Sequence, residues 1–279
     1  MTEKEILNKI ETIPTLPAIY QRLLSVLEDP NSTSADIANV ISLDQVTALK
    51  VLRIANSPIF RLTGRIDSIQ QAVMQLGLIE VRNIVLAISV IKVLKMENLF
   101  PYLKVTDFWK HSIAVGAASK IIAHEIEPSE SEDAFLGGIL HDIGKLVLMI
   151  YFTDDYQKVF ESYSPDNKTI SETEKEILGY DHAYIGGTLA KYWEQSEKIV
   201  NIISYHNIGM IDDKLDKSVA IVHLGDIYAR SLELGNPGDN LIPEPNHRIW
   251  EIINLPEDFF TKNADNLRLS FSSLTSMIL

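Results

Sequence analysis

Apolar residues recur along this chain with the period of an α-helix, and no segment alternates apolar and polar residues between hairpin turns as a half-buried strand would. Tyr20, Leu23, Leu24 and Leu27 keep the i, i+3, i+4, i+7 spacing of one helix face. Ile79 to Leu94 is apolar on most faces, as a helix with no side turned to water must be. Turn chemistry separates these segments. Two prolines in Ile13-Pro14-Thr15-Leu16-Pro17 impose extended backbone. Asp29-Pro30-Asn31-Ser32-Thr33-Ser34 ends in a helix cap expected at Ser34, with Asp36 in the first turn, and Asp44 is expected to cap the helix through Val51, Leu52 and Ile54. Gly64, Gly77 and the loop Gly235-Asn236-Pro237-Gly238-Asp239-Asn240 punctuate the remainder.

The pattern predicts helices over Ile69–Leu76, 105–126, 132–152, 155–163, 171–178, 182–194, 197–206 and 216–233, then shorter ones over 246–253, 256–262 and 267–277. The fold class is all-α. Three regions are expected: an N-terminal helical part over 1–100, a helical bundle over 101–235, and a C-terminal helical extension over 236–279.

Hydrophobic residues make up 46% and charged residues 23% of the 279, the balance of a globular protein and far from that of a disordered one. Charge narrows the partners. With 25 basic and 38 acidic side chains the net charge is −13, which repels phosphate backbones and argues against direct nucleic-acid binding. A small phosphorylated ligand stays compatible if a metal ion inverts the local charge. There are no cysteines, so thiolate ligands and disulfides are excluded and a reducing, cytoplasmic setting is expected. The first residues carry mixed charge, and the run Ile84 to Val93, broken by Ser89, is far shorter than the ~20 residues of a membrane span.

Seven histidines carry the chemistry. His141 and Asp142 sit in Gly137-Gly138-Ile139-Leu140-His141-Asp142-Ile143-Gly144-Lys145, among Leu, Ile and Gly. An unpaired carboxylate buried there is costly, so a metal or an ion pair must compensate it. Neighbouring helix positions point about 100° apart, which still lets imidazole and carboxylate converge on one ion from a helix flank. Other segments supply one polar group each: His111 after Phe108 and Trp109, His182 after Asp181, His206 after Tyr205, and Asp226 in Val222-His223-Leu224-Gly225-Asp226. Taken alone, any one of them is most simply a satisfied core residue. Five apolar helices each turning one polar group inward are the usual way a helical bundle builds a metal site. Histidine and carboxylate suit Fe, Mn, Zn or Ni. His124, near a helix end, reads as surface; His223, three residues before Asp226, could support a ligand; His247 reads as structural.

The order His111, His141-Asp142, Asp226 resembles the H…HD…D signature of the HD superfamily of all-helical, metal-dependent phosphohydrolases, and His-Asp-Ile-Gly-Lys is a specific local form of it. His182, within Gly179-Tyr180-Asp181-His182 and the pattern running to Trp193, and His206 resemble the HD-GYP and HDOD branches. The first half is similar to HDOD domains in Ile13–Pro17, Ile41-Ser42-Leu43-Asp44-Gln45, Val51-Leu52-Arg53-Ile54-Ala55-Asn56-Ser57 and Ile69-Gln70-Gln71-Ala72-Val73, so the resemblance spans roughly residues 10–235. It implies an HD-like bundle with an N-terminal helical subdomain. It also implies one or two divalent ions held by His111, His141, Asp142, His182, His206 and Asp226. HD-GYP proteins carry paired histidines and a GYP loop, whereas here Asn207-Ile208-Gly209-Met210 follows His206, which puts cyclic-di-GMP hydrolysis in doubt.

Two functions follow from the resemblance. The preferred one is a bacterial signalling module acting through protein partners or a small phosphorylated ligand. The alternative is a metal-dependent phosphohydrolase, with Asp142 bridging and Lys145 steadying phosphate charge. A Gly-rich phosphate loop is absent, which excludes that nucleotide mode.

Overall fold

The structure, a computed structural model, describes residues 1–62, 64–94, 100–164, 168–239 and 241–279. Among the described residues there is no β-strand, only an isolated bridge between Ile211 and Lys214. The chain divides into two compact units, and their limits differ from the three regions expected. The first helix, α1 (Glu3–Ile10), joins the second half of the chain: the Met1 ammonium donates to Leu178 O at 2.7 Å and Trp193 Nε1 donates to Pro14 O.

One unit comprises Thr15–Lys95 with Arg268–Leu279. It holds α2 (Ala18–Leu27), α3 (Ser34–Ser42), α4 (Gln45–Ala55), α5 (Ile69–Leu76) and α6 (Leu78–Val93). Asp44 caps α4 as expected, accepting from Val46 and Thr47 N–H at 3.1 Å. The α3 cap is Thr33 and not Ser34. Thr33 keeps extended backbone and exchanges side-chain bonds with Asp36, closing a capping box that Ser34, already helical, cannot form. The middle of α6, from Val81 to Val90, is buried all round except at Arg82, as its apolar composition requires.

The other unit, Met1–Pro14 with Met96–Leu267, carries the histidines. Its central helix α7 (Val105–Ile126) packs along α8 (Ser131–Leu140), and α9 (Ile143–Tyr151) follows. Next come α10 (Thr153–Ser162), α11 (Ile170–Leu178), α12 (His182–Tyr192), α13 (Glu197–Tyr205) and α14 (Lys217–Ser231). The helix predicted over 132–152 is broken at its centre. Asp142 leaves helical geometry (φ −101°, ψ 10°), so α8 ends at Leu140 with His141 as its cap, and α9 starts afresh. Pro128–Tyr151 is apolar and long enough by composition to cross a membrane, yet 89% of its most apolar window is buried inside the protein. The short helices expected over 256–262 and 267–277 are one, α15 (Phe259–Ile278), and 246–253 is a 3-10 turn over His247–Glu251.

Close helix approach brings the ligands together. A Cβ on Gly138 would lie 2.7 Å from Gly116 Cα, which lets α8 touch the α7 backbone. A Cβ on Gly144 would lie 1.9 Å from His182 O, so α9 and α12 meet without a side chain between them.

Candidate metal centre

His141, Asp142, His182 and His206 come from the α8–α9 junction, the α12 N-terminus and the α13 C-terminus, and each is at most 1% exposed. Asp142 is their common neighbour. Its Oδ2 lies 3.3 Å from His141 Nε2, and its Oδ1 lies 3.1 Å from His182 Nε2 and 3.4 Å from His206 Nε2. His111 on α7 and Asp226 on α14 form an adjoining pair, with Nε2 2.9 Å from Oδ1. The ligand atoms fall into two compact groups, His141–Asp142–His206 and His111–His141–Asp226, and His141 belongs to both. All six residues proposed from sequence therefore lie in one buried cluster.

Whether this cluster fits an ion is decided by the ring nitrogens. His141 Nδ1 faces Gly138 O at 2.7 Å, His206 Nδ1 faces Ile203 O at 2.9 Å, and His182 Nδ1 faces Glu174 Oε2 at 2.6 Å. Each partner can only accept, so each Nδ1 carries the proton and Nε2 is left for the interior. Burial holds His206 neutral by pushing its pKa down to about 4, so its Nε2 presents a lone pair to a carboxylate oxygen. His141 Nε2 and Asp142 Oδ1 have no hydrogen-bond partner. Acceptor facing acceptor in a dry interior is unfavourable unless a cation lies between them. His141, Asp142 and His206 offer ligand atoms close enough to share one ion, as do His111, His141 and Asp226, whereas His182 meets Asp142 and joins neither group. A histidine donating its remote N–H to a carbonyl or carboxylate is the usual support of a metal ligand.

Protein cations complete the charge balance. Lys145 is fully buried, donating to Asp142 Oδ2 at 2.8 Å and to Pro237 O at 2.9 Å. Burial opposes its charge, but Asp142 and Asp239 outweigh it and raise the lysine. Arg230, one turn after Asp226, donates Nε to both oxygens of that carboxylate and Nη1 to Asp239 and Leu241 O. Burial would raise Asp142 and Asp226. The neighbouring groups win, His141 and Lys145 for the former and chiefly Arg230 for the latter, and both stay well below the usual carboxylate range. His182 is the opposite case: burial disfavours its cation, but Glu174 and Asp142 prevail and bring it to about 10. A proton there counters Asp142 until an ion takes its place.

Four contributors escaped the sequence reading. Glu174 lies in a charged run, Glu172-Thr173-Glu174-Lys175-Glu176, that reads as solvated, yet it is fully buried, holding His182 through Nδ1 and N–H and accepting from Tyr156 at 2.8 Å. Asp239 and Pro237 stand in the 235–239 loop, which closes over Lys145 and Arg230. Gly235 lets the loop pass at φ +80° where a Cβ would lie 2.2 Å from His111 N. Arg230 had a legible signal, its i+4 spacing from Asp226 on an apolar helix. Of the other histidines, His124 is exposed, His223 faces His206 O through Nδ1 at 2.7 Å and accepts from Asn246 N–H, and His247 is exposed.

A cavity of about 260 Å³ reaches the cluster past Lys175, Asn207 and Leu241, touching Lys145, His182, Asp226 and Arg230. A second, of about 340 Å³, meets His111, Arg230 and the 235–239 loop. His141, Asp142 and His206 line neither.

The model of the HDOD domain matches residues 13–208, well over half of the chain. The chain belongs to the HDOD domain family. The match stops short of Asp226 and Arg230, which complete the cluster. An HDOD domain protein of unknown function from Geobacter sulfurreducens shares 25% identity at a TM-score of 0.80, covering 99% of this chain and 96% of its own. A candidate phosphohydrolase from Shewanella amazonensis SB2B shares the fold at 24% identity and TM-score 0.77, over 99% and 98% of the two chains. A candidate signal transduction protein from Marinobacter aquaeolei VT8 does so at 21% and 0.73, over 99% of this chain and 65% of its own. An uncharacterized protein of Treponema pallidum (strain Nichols) is 23% identical over 238 residues, 85% of this chain and 46% of the relative. The chain thus spans about half the length of that curated relative.

Proposed function

We propose that this HDOD domain is a cytoplasmic regulatory module whose HD-like bundle is organised by a buried divalent ion around His141, Asp142, His182 and His206. One observation carries the reading. Three of these four groups, His141, Asp142 and His206, are fully buried and line neither cavity, only His182 reaching one, an arrangement suited to holding a conformation more than to turning over substrate. Partners would be signalling proteins, or a small phosphorylated ligand entering beside Lys175 and Asn207.

A metal-dependent phosphohydrolase is the second reading, favoured by the cavity that touches Lys145, His182 and Asp226. When bound, a divalent ion supplies Lewis acidity and a water of lowered pKa. Lys145 has little to offer a phosphate there, because two of its three N–H groups are donated to Asp142 and Pro237 O.

Metal analysis of protein purified without chelators, with a hydrolysis screen of phosphomonoesters, nucleotides and cyclic dinucleotides, separates the readings. Bound metal without turnover, and a His141→Ala/Asp142→Ala variant of lowered thermal stability, is expected. Turnover that vanishes in the double variant would replace the regulatory reading with the enzyme. Less than a tenth of an ion per chain, of any transition metal, would remove the metal centre from both.

A further inference from the structure

Two buried cations lead out of the histidine cluster, and both end on the same strap of chain. Lys145 Nζ donates to Asp142 Oδ2 at 2.8 Å and to Pro237 O at 2.9 Å, and it lies 3.9 Å from Asp239 Oδ2. Arg230 donates Nε to both oxygens of Asp226, at 2.9 and 3.0 Å, and Nη1 to Asp239 Oδ1 and Leu241 O. Each cation therefore holds a cluster carboxylate on one side and the strap on the other. A neutral tie adds to these: the Asn236 N–H donates to Asp107 O at 3.1 Å, laying the strap on the start of α7.

The strap also divides the space beside the cluster. The cavities of about 260 and 340 Å³ have Arg230, Asp239 and Leu241 in common, so the Arg230–Asp239 pair forms part of the wall between them. Withdrawing that wall joins a space that touches His182 and Asp226 to one that touches His111.

An ion in the cluster changes what the two cations need. Asp142 and Asp226 balance Lys145 and Arg230, and each candidate ligand group contains one of those carboxylates. A carboxylate given to an ion has less to offer its cation. An arginine keeps its proton in a protein, and a buried cation left short of counter-charge is costly. Asp239 is a carboxylate already beside both cations, and it belongs to neither ligand group. Positive charge added at the cluster strengthens the pull on Asp239, because a dry interior screens little. The effect is reciprocal. If a fastened strap favours the ion, the ion favours a fastened strap by the same factor.

We infer that residues 235–239 are an ion-dependent latch: an ion in the cluster fastens the strap through Lys145, Arg230 and Asp239, and its loss frees the strap and opens the cluster to the joined cavities. The inference rests on the reading of the cluster as a metal centre, and it gives the regulatory reading a moving part.

The test is hydrogen exchange at the Asn236 amide, which reports whether the strap lies on Asp107, with Mn²⁺ affinity from electron paramagnetic resonance, both on the full chain. In wild type, chelator should speed that exchange at least ~10-fold over Mn²⁺-loaded protein, and low urea should not change the ratio, because lifting a strap exposes little surface. Asp239→Asn keeps the shape and removes the charge. It should bind Mn²⁺ roughly 10–100-fold more weakly, the loss usual for a group that supports a metal site without ligating, and its Asn236 amide should exchange alike in both conditions. Glu233→Gln, which removes an exposed carboxylate from the second cavity, should behave as wild type. Equal Asn236 exchange with and without Mn²⁺ in wild type that binds the ion would overturn the latch and leave the metal centre intact. So would unchanged affinity in folded Asp239→Asn, an equal loss in Glu233→Gln, or an acceleration that grows with urea in step with the α7 amides. Should Asp239→Asn fail to fold, the wild-type exchange decides. Less than a tenth of an ion in wild type would instead remove the metal reading on which the latch stands.

Discussion

Glu174 shows how one side chain can set the chemistry of another. Its Oε2 accepts both Nδ1 and the backbone N–H of His182, and Oε1 accepts from Tyr156. The carboxylate fixes the ring's orientation and leaves Nε2 for the interior. Removing one member of a buried charged pair costs about 3–5 kcal/mol, and losing the support of a metal ligand costs roughly 10–100-fold in affinity. Glu174→Ala should show both, in urea midpoint and in Mn²⁺ affinity; a variant with wild-type affinity would mean that His182 is not a ligand. The same ring gives a pH signature. A histidine raised to about 10 contributes stability that is complete below its ordinary 6.5 and lost as pH climbs toward the folded value. Protein held in chelator should therefore become less stable from pH 6.5 upward. Protein supplied with Mn²⁺ should resist the same change, since ligands must be deprotonated to bind. Unfolding midpoints measured in both conditions across that range test the contrast, and identical slopes would count against an ion at His182.

At the level of elements, the sequence made the helices plain and the breaks less so. Caps such as Asp44 and the buried course of α6 follow from local chemistry that a one-dimensional pattern contains. The break at Asp142 does not, because periodicity continues from Phe135 to Met149 through residues that are all buried. Its cause is tertiary: the carboxylate turns inward to His141 and Lys145 instead of capping α9. His141, Asp142 and the four partners proposed with them could be read because polar groups on apolar helices are conspicuous. Glu174 and Asp239 could not, since one hides in a charged run and the other in turn residues, and only the fold buries them. Helix approach is likewise invisible until glycines are seen against their neighbours. Gly144→Ala drives a Cβ into the His182 carbonyl, backbone that cannot swing aside, so α9 and α12 must separate. Overpacking of this kind costs about 1–3 kcal/mol or more. The loss should appear in the denaturation midpoint and be joined by weaker metal retention, because His182 rides on the displaced helix. Wild-type retention in Gly144→Ala would show that the α9–α12 approach is not needed for the centre.

For the whole molecule, the division into two units gives metal removal a location. All six residues of the cluster lie in the unit of Met1–Pro14 and Met96–Leu267. The buried polar residues of the other unit's α4 and α6 include Thr47, Glu80, Asn83 and Ser89 but no histidine, and its core is aliphatic apart from Tyr20. An ion bound only by the folded state adds stability that grows with the logarithm of its concentration over Kd, about 4 kcal/mol at a thousandfold excess. Chelation should withdraw that contribution from one unit alone. Hydrogen exchange read residue by residue, with and without chelator, makes this visible, because separate cooperative units open with their own free energies. Amides of α7, α8, α12 and α13 are expected to lose protection when the ion is removed, while those of α3 to α6 keep theirs. Protection lost equally throughout would mean that the chain opens as one cooperative whole and that the ion's influence is not confined to the helices that hold it. Unchanged protection everywhere would mean that the histidine cluster is satisfied by Lys145, Arg230 and protonated His182 alone.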